Sequence, residues 1–259
     1  MKTVVKYILI SILAVIMLGA MVFAYVASSA EHAKIRCTSL NIEITDSAKL
    51  SFIGPNDVKA ILQKEYGKYI DIELDSINLV KIEKLIDSRS AVQKSQAYTT
   101  ADGKLNIKIS QREPVIRFQR PEGGFYADKD GNLFPLQRNH TAHVPIIDGH
   151  IPLKGNSGYR GVEIDSTSRV WVKQMIAFMD YIDGTIWEDN IVQVHVNKNG
   201  DLVLIPREGN EQFIFGQPYN LEEKFEQIEK YYTCVKPSKE DGYYKSVNVK
   251  YRKQLICRR

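Results

Sequence analysis

Three cysteines among 259 residues are too few for a disulfide framework. Nine prolines and sixteen glycines are ordinary counts, which exclude collagen-like and low-complexity chains. An excess of one charge sign is also missing, since 35 Lys and Arg face 31 Asp and Glu. With 44% hydrophobic residues, that balance excludes a wholly disordered chain. Long apolar runs are absent apart from one at the N-terminus, and a mean hydropathy of −0.27 excludes a polytopic membrane protein. No glycine-rich phosphate loop, His-Glu-x-x-His helix or Gly-x-Ser-x-Gly elbow is present.

The exceptional run extends from Tyr7 to Ala30, 24 residues without a charge. A helix needs about 20 apolar residues to cross a hydrocarbon core about 30 Å thick. Lys2 and Lys6 precede the run and Glu31 follows it. The positive-inside bias therefore keeps residues 1–6 in the cytoplasm and sends everything after the anchor (residues 7–30) across the inner membrane. A cleaved signal peptide ending at Ser28 to Ala30 is the competing reading, but its apolar core is normally about 7–15 residues. Cys37, Cys234 and Cys257 then face an oxidising space. Either Cys234 and Cys257 pair, or the three remain separate thiols, mostly buried.

The first extracytoplasmic stretch reads as strand, helix, helix, strand, strand. Leu40, Ile42 and Ile44 alternate with polar residues, as in a half-buried strand. Gly54-Pro55 opens a helix with Val58, Ile61 and Leu62 on one face, and Gly67 ends it. Leu79, Ile82, Leu85 and Ile86 carry helical spacing. A strand over 92–99 turns at Asp102-Gly103 into a second, where Leu105, Ile107 and Ile109 alternate. Pro114 closes the unit, because it cannot donate in a central ladder.

Beyond Arg120 to Gly124 the pattern becomes β-rich with two helices. Phe125 to Phe134 folds back at Asp130-Gly131, and Ile191–Val196 joins Leu202–Ile205 through Asn199-Gly200. Val172, Met175, Ile176 and Met179 stripe one helix. Leu221, Phe225 and Ile228 stripe the other, with Asn220 and Glu223 as its cap pair. A final strand points Val247, Val249, Tyr251 and Leu255 one way and Ser246, Asn248, Lys250, Arg252 and Gln254 the other. The fold class is α+β: a transmembrane helix, a small βααββ domain, and a larger β-rich domain ending in an edge strand.

Candidate chemistry is thin. Asp128 to Asn132 resembles a calcium loop, but its glycine stands at the fourth position and no glutamate at the twelfth, so it reads as a hairpin turn. His140, His143 and His150 lie in a turn-rich loop without the thiolate or helical spacing of a zinc site. A sortase-like transpeptidase would use Cys234, His195 and Arg252. Against it, Cys234 follows a helix and Tyr231-Tyr232 departs from the Leu-x-Thr-Cys run of that class. No enzyme activity and no cofactor is expected.

The order of elements resembles the bacterial cell-division family FtsQ/DivIB. Gln111-Arg112-Glu113-Pro114-Val115 is similar to the ending of the family's POTRA domain, and FYADKDGNLFPL to the hairpin opening its β domain. YNLEEKFEQIEKYY resembles the late helix and VNVKYRKQLICRR the terminal strand, with Asn248 and Lys250 where the family often has Asp and Arg. The resemblance implies a POTRA-like domain over residues 34–118 and a β domain over 119–259. It also implies a non-catalytic divisome scaffold that binds the small bitopic proteins FtsB and FtsL through its last strand and helps control septal peptidoglycan synthesis. The POTRA unit would serve localisation and other divisome contacts.

Charge supports that strand as a docking edge. Residues 243–259 hold six Lys and Arg and no acid, leaving 29 basic against 31 acidic residues elsewhere, a +6 tail on a −2 body. A partner segment would add to the edge by main-chain hydrogen bonds along Lys245, Val247, Asn248 and Val249. Lys250, Arg252 and Lys253 would steer it, with Tyr251 and Leu255 as apolar contacts. The same charges also suit an unused edge guarded against aggregation. Two other functions compete: a POTRA-bearing assembly or chaperone protein of the membrane, and the transpeptidase. Nucleic acid is excluded as a partner, because the basic strand faces the wrong compartment with one interleaved aromatic.

Overall fold

A computed structural model of the chain describes residues 12–25, 35–137, 139–155 and 158–259. Residues 12–25 form helix α1, exposed along its whole length. The rest of the expected anchor at 7–30 lies outside the described residues. Among the described residues, no helix is long and apolar enough to cross a membrane. The chain divides into two units, 1–49 with 53–111 and 50–52 with 112–259.

In the first unit the period-two segments become β1 (Ser39–Ile44), β2 (Val92–Thr100) and β3 (Lys104–Gln111), in sheet order β1-β3-β2. β1 runs parallel to β3, as a connection through two helices permits, while the tight turn at Asp102-Gly103 makes β2 antiparallel to β3. The helices are α2 (Pro55–Ile61) and α3 (Leu79–Asp87). Pro55 at the start of α2 gives up no useful donor, and Asp57 accepts from the Gly54 N–H at 2.8 Å. Asn78 caps α3 by accepting from the Lys81 N–H at 2.9 Å. Val58, Leu62, Ile82 and Ile86 pack on Leu105, Ile107 and Ile109, all buried.

The second unit is a ten-stranded sheet with helices on one face. Its first strands are β4 (Pro114–Arg120), β5 (Gly123–Asp128), β6 (Asn132–Pro135), β7 (Ile146–Gly149) and β8 (Gly161–Val162). Helix α4 (Ser166–Ile182) and the short α5 (Ile186–Asn190) follow, then β9 (Ile191–Val196), β10 (Leu202–Pro206) and β11 (Gln212–Gly216). Helix α6 (Leu221–Lys230), β12 (Ser246–Asn248) and β13 (Ile256–Arg258) complete the unit. The spatial order is β13-β12-β11-β10-β9-β7-β4-β5-β6-β8. Phe178 of α4 and Phe225 of α6 meet Phe215 of β11 with centroids 5.4 and 5.2 Å apart, at the centre of a core that includes Val194, Leu204 and Val247.

Three expectations change. β4 pairs with β5 and β7, so the passage between units falls at Gln111–Arg112 and not at 118/119; Pro114 begins a strand of the larger sheet. A third helix, α5, joins the two expected, capped by the Thr185 hydroxyl, which accepts from the Trp187 N–H. The final segment is not one strand. It breaks after Asn248, turns with Lys253 at a φ of 55°, and returns as β13 antiparallel to β12. The expected edge at 246–255 is therefore a hairpin. β12 lies between β11 and β13, and β13 forms the edge.

Candidate functional site

Nine residues from Lys245 to Leu255 were expected to form a docking edge, and the hairpin gives them different roles. The Lys245 N–H donates to the Arg258 carbonyl at 2.8 Å, outside the regular β12–β13 ladder. Val247 and Val249 are buried against the core, as their alternation demands, and Leu255 is half-buried against it. Asn248 accepts from the Lys250 N–H through Oδ1 at 2.9 Å, which starts the break in the strand. Tyr251 departs from the expected alternation and stands 51% exposed at the turn.

The turn is held by α6. Glu223 accepts from Arg252 Nε at 3.2 Å and from the Lys253 N–H at 3.1 Å. Gln227, with its amide oriented to satisfy both groups, donates to the Gln254 carbonyl at 2.8 Å. This contact displaces an expected one. Asn220 precedes α6 with a left-handed φ of 52° and makes no side-chain cap, so Glu223 clasps the turn instead of completing a cap pair.

Lys250 is committed as well. Its Nζ donates to Asp201 Oδ2 at 2.7 Å, in the turn between β9 and β10, and this partner holds the ammonium above its ordinary range. Its stem crosses Gly216, where a Cβ would come within 2.8 Å of Lys250 Cγ. Of the three expected steering cations, Lys250 and Arg252 are ion-paired within the chain.

Between the start of α6 and the hairpin lies a cavity of about 240 Å³, whose lining includes Tyr219, Glu223, Lys224, Gln227 and Val249 to Arg252. Tyr219, 56% exposed, and Tyr251 stand at its rim. Lys224 is almost wholly buried; it donates to the Gln217 carbonyl at 2.6 Å and sits 4.4 Å from the Tyr219 ring centroid. Burial pushes its ammonium below the usual lysine range. The groove offers aromatic rims, a desolvated cation and a nearby strand edge, the furniture of a binding surface. Tyr219, Lys224 and Gln227 have no signal in the sequence, because they line the groove with hairpin residues more than 20 positions further along the chain.

The transpeptidase constellation does not assemble. Val194 and Val196 face the helix-covered core, so His195 between them points from the opposite face, where Nδ1 lies 2.8 Å from Asp148 Oδ1. Cys234 follows α6 on the helical side, 3.5 Å from Thr233 Oγ1, and Arg252 pairs with Glu223. All three cysteines are free: Cys37 buried, Cys257 half-buried, Cys234 exposed. Asp128 serves its hairpin, accepting from the N–H groups of Asp130 and Asn132 at 3.0 and 2.9 Å and from Arg112 Nη1 at 2.6 Å. His140 stands edge-on to the Phe52 ring, 5.1 Å between centroids. Among the described residues no group of three or more His, Cys, Asp or Glu is placed to hold a metal ion.

Two protein-family models match the chain. One, described as FtsQ/DivIB, C-terminal related, covers residues 113–258, more than half of the length and the whole hairpin up to Arg258. The other, a POTRA-like domain, covers residues 35–110. None of the curated proteins compared with the chain matches it.

Proposed function

The chain belongs to the FtsQ/DivIB family, and on that premise we propose that it is a membrane-anchored cell-division scaffold that works by docking and not by catalysis. The anchor is the apolar segment 7–30, with the N-terminus in the cytoplasm and both folded units outside. The partners are small single-span division proteins of the FtsB and FtsL kind, and through them the chain influences septal peptidoglycan synthesis. The POTRA-like unit serves further divisome contacts.

The observation that carries the docking half is the exposed Tyr251 at the tip of a hairpin that ends the sheet, facing Tyr219 across a groove. An extended partner segment gains main-chain hydrogen bonds from a strand edge and affinity from buried aromatic anchors. Lys245, Val247, Asn248 and Val249 lie in or beside β12, the strand that β13 now borders, and support the edge from behind. Tyr251, Arg252, Lys253 and Leu255 flank it, and Lys250 holds the tip in place.

Affinity capture from solubilised membranes tests this, with the full chain compared with a Tyr219→Glu, Tyr251→Glu variant of matched circular dichroism. Wild type should recover small single-span division proteins at least about tenfold better, the loss expected when anchors worth about 1.4 kcal/mol or more are removed. Equal recovery by both would place the interface elsewhere. Recovery of outer-membrane proteins in place of division proteins would favour the assembly reading.

A further inference from the structure

β13 covers the edge that the docking reading requires. It pairs with β12 over three positions, Ser246 with Arg258, Val247 with Cys257 and Asn248 with Ile256. The chain runs beside β11 for longer than that: the Val249 N–H donates to the Ile214 carbonyl at 3.0 Å, and Lys250 lies against Gly216. A partner strand added outside β13 would meet three residues. One that replaced β13 would meet these same β12 residues and reach on as far as Val249, where the Lys250 N–H, already bonded to Asn248 Oδ1, ends the edge.

The hold on β13 is light. Ile256, Arg258 and Arg259 are exposed, Leu255 and Cys257 are half-buried against the core, and the Arg259 guanidinium lies 4.3 Å from the Tyr243 ring centroid. The turn that leads to β13 places Lys253, a residue with a Cβ, at a φ of 55°. By contrast, the tip before it is fastened by Lys250 to Asp201 and by Arg252 to Glu223. A hinge just after Gln254, whose carbonyl Gln227 holds, would let 255–259 swing away, at the cost of the Leu255 and Cys257 contacts, while the groove stays built.

From this we infer that β13 is an intramolecular cover of the β12 edge, displaced when an extended partner segment binds. The inference rests on the docking reading and adds its regulation: the free edge is hidden until a partner takes it. This arrangement guards an edge strand against indiscriminate pairing. It also lowers apparent affinity by the fraction of molecules in which the cover is open.

Because Val247 and Cys257 are directly opposed, a Val247→Cys change can lock the cover by a disulfide to the native Cys257. The full chain in detergent, also carrying Cys234→Ser, is titrated with the extracytoplasmic segment of the same organism's FtsB-type protein, oxidised and then reduced. Thiol titration verifies the bridge. The oxidised form should bind at least about tenfold more weakly than the same molecule reduced, and a chain lacking residues 256–259 should bind at least about threefold more tightly than wild type. Equal binding by oxidised and reduced forms would overturn displacement, whether or not the shortened chain folds. Absence of binding by every form, the reduced and shortened ones included, would bring down the docking reading itself.

Discussion

Lys250 and Asp201 stand 49 positions apart, and their contact at 2.7 Å ties the end of β12 to the turn between β9 and β10. Replacing Lys250 with Glu would set a carboxylate beside the buried Asp201, so any loss of partner binding would mix docking with folding. Tyr251, exposed and not a member of that ion pair, is the cleaner probe. A second residue-scale effect lies at the start of α4. The Lys154 ammonium, donating to Asp165 at 2.8 Å, together with the Ser168 N–H and hydroxyl, holds the Asp165 carboxyl well below the usual carboxylate range. A depressed value in the folded state contributes stability that is present above the unfolded value near 4 and lost as pH falls from there through the folded one. An Asp165→Asn chain keeps the cap but not the charge. Its stability deficit in urea should narrow progressively below about pH 4; a deficit unchanged down to about pH 2.5 would count against this account.

Among the elements, two backbone positions constrain how strands of the larger sheet end. Gly149 ends β7 at a φ of 88°, where a Cβ would run into the Val196 carbonyl oxygen of β9. Backbone cannot yield as a flexible side chain can. Gly149→Ala should therefore cost about 2–4 kcal/mol in chemical denaturation, from left-handed strain and collision together. Lys253 presents the opposite case, since its left-handed φ at the hairpin turn is one that glycine adopts freely. A Lys253→Gly chain should be more stable by about 0.5–1 kcal/mol, measured by the same denaturation midpoint. A loss of stability would mean that the Lys253 side chain makes a contribution larger than its backbone strain.

For the molecule as a whole, charge distribution is the quantity to test. The last 17 residues carry +6 and the rest of the chain −2, but Lys250 and Arg252 are paired internally with Asp201 and Glu223. The field left for a partner comes mainly from Lys245, Lys253, Arg258 and Arg259. Screening shortens from about 10 Å at 0.1 M salt to about 3 Å at 1 M. The association rate of an acidic partner segment should then fall several-fold between about 50 mM and about 500 mM NaCl, with a much smaller change in dissociation rate by stopped flow. A salt-independent association rate would remove the tail's steering role.

Period and punctuation in the sequence determined the α+β class, the βααββ unit, the hairpin at Asn199-Gly200 and the apolar stripes of α4 and α6. Each depends on residues within about ten positions of one another, where alternation or helical spacing leaves one buried face. The family resemblance rested on the same local order, and the match over 113–258 agrees with it. Only the tertiary structure decided that Pro114 starts the larger sheet, that the last segment folds back at Lys253, and that Glu223 clasps a turn instead of capping its own helix. Alternation from Val247 to Leu255 fits one strand or two, since it records which face is buried and not which way the chain runs. The break comes from Asn248 within the segment and from Asp201, Glu223 and Gln227 outside it, and no pattern along the chain encodes these last contacts, which close across 26 to 49 positions.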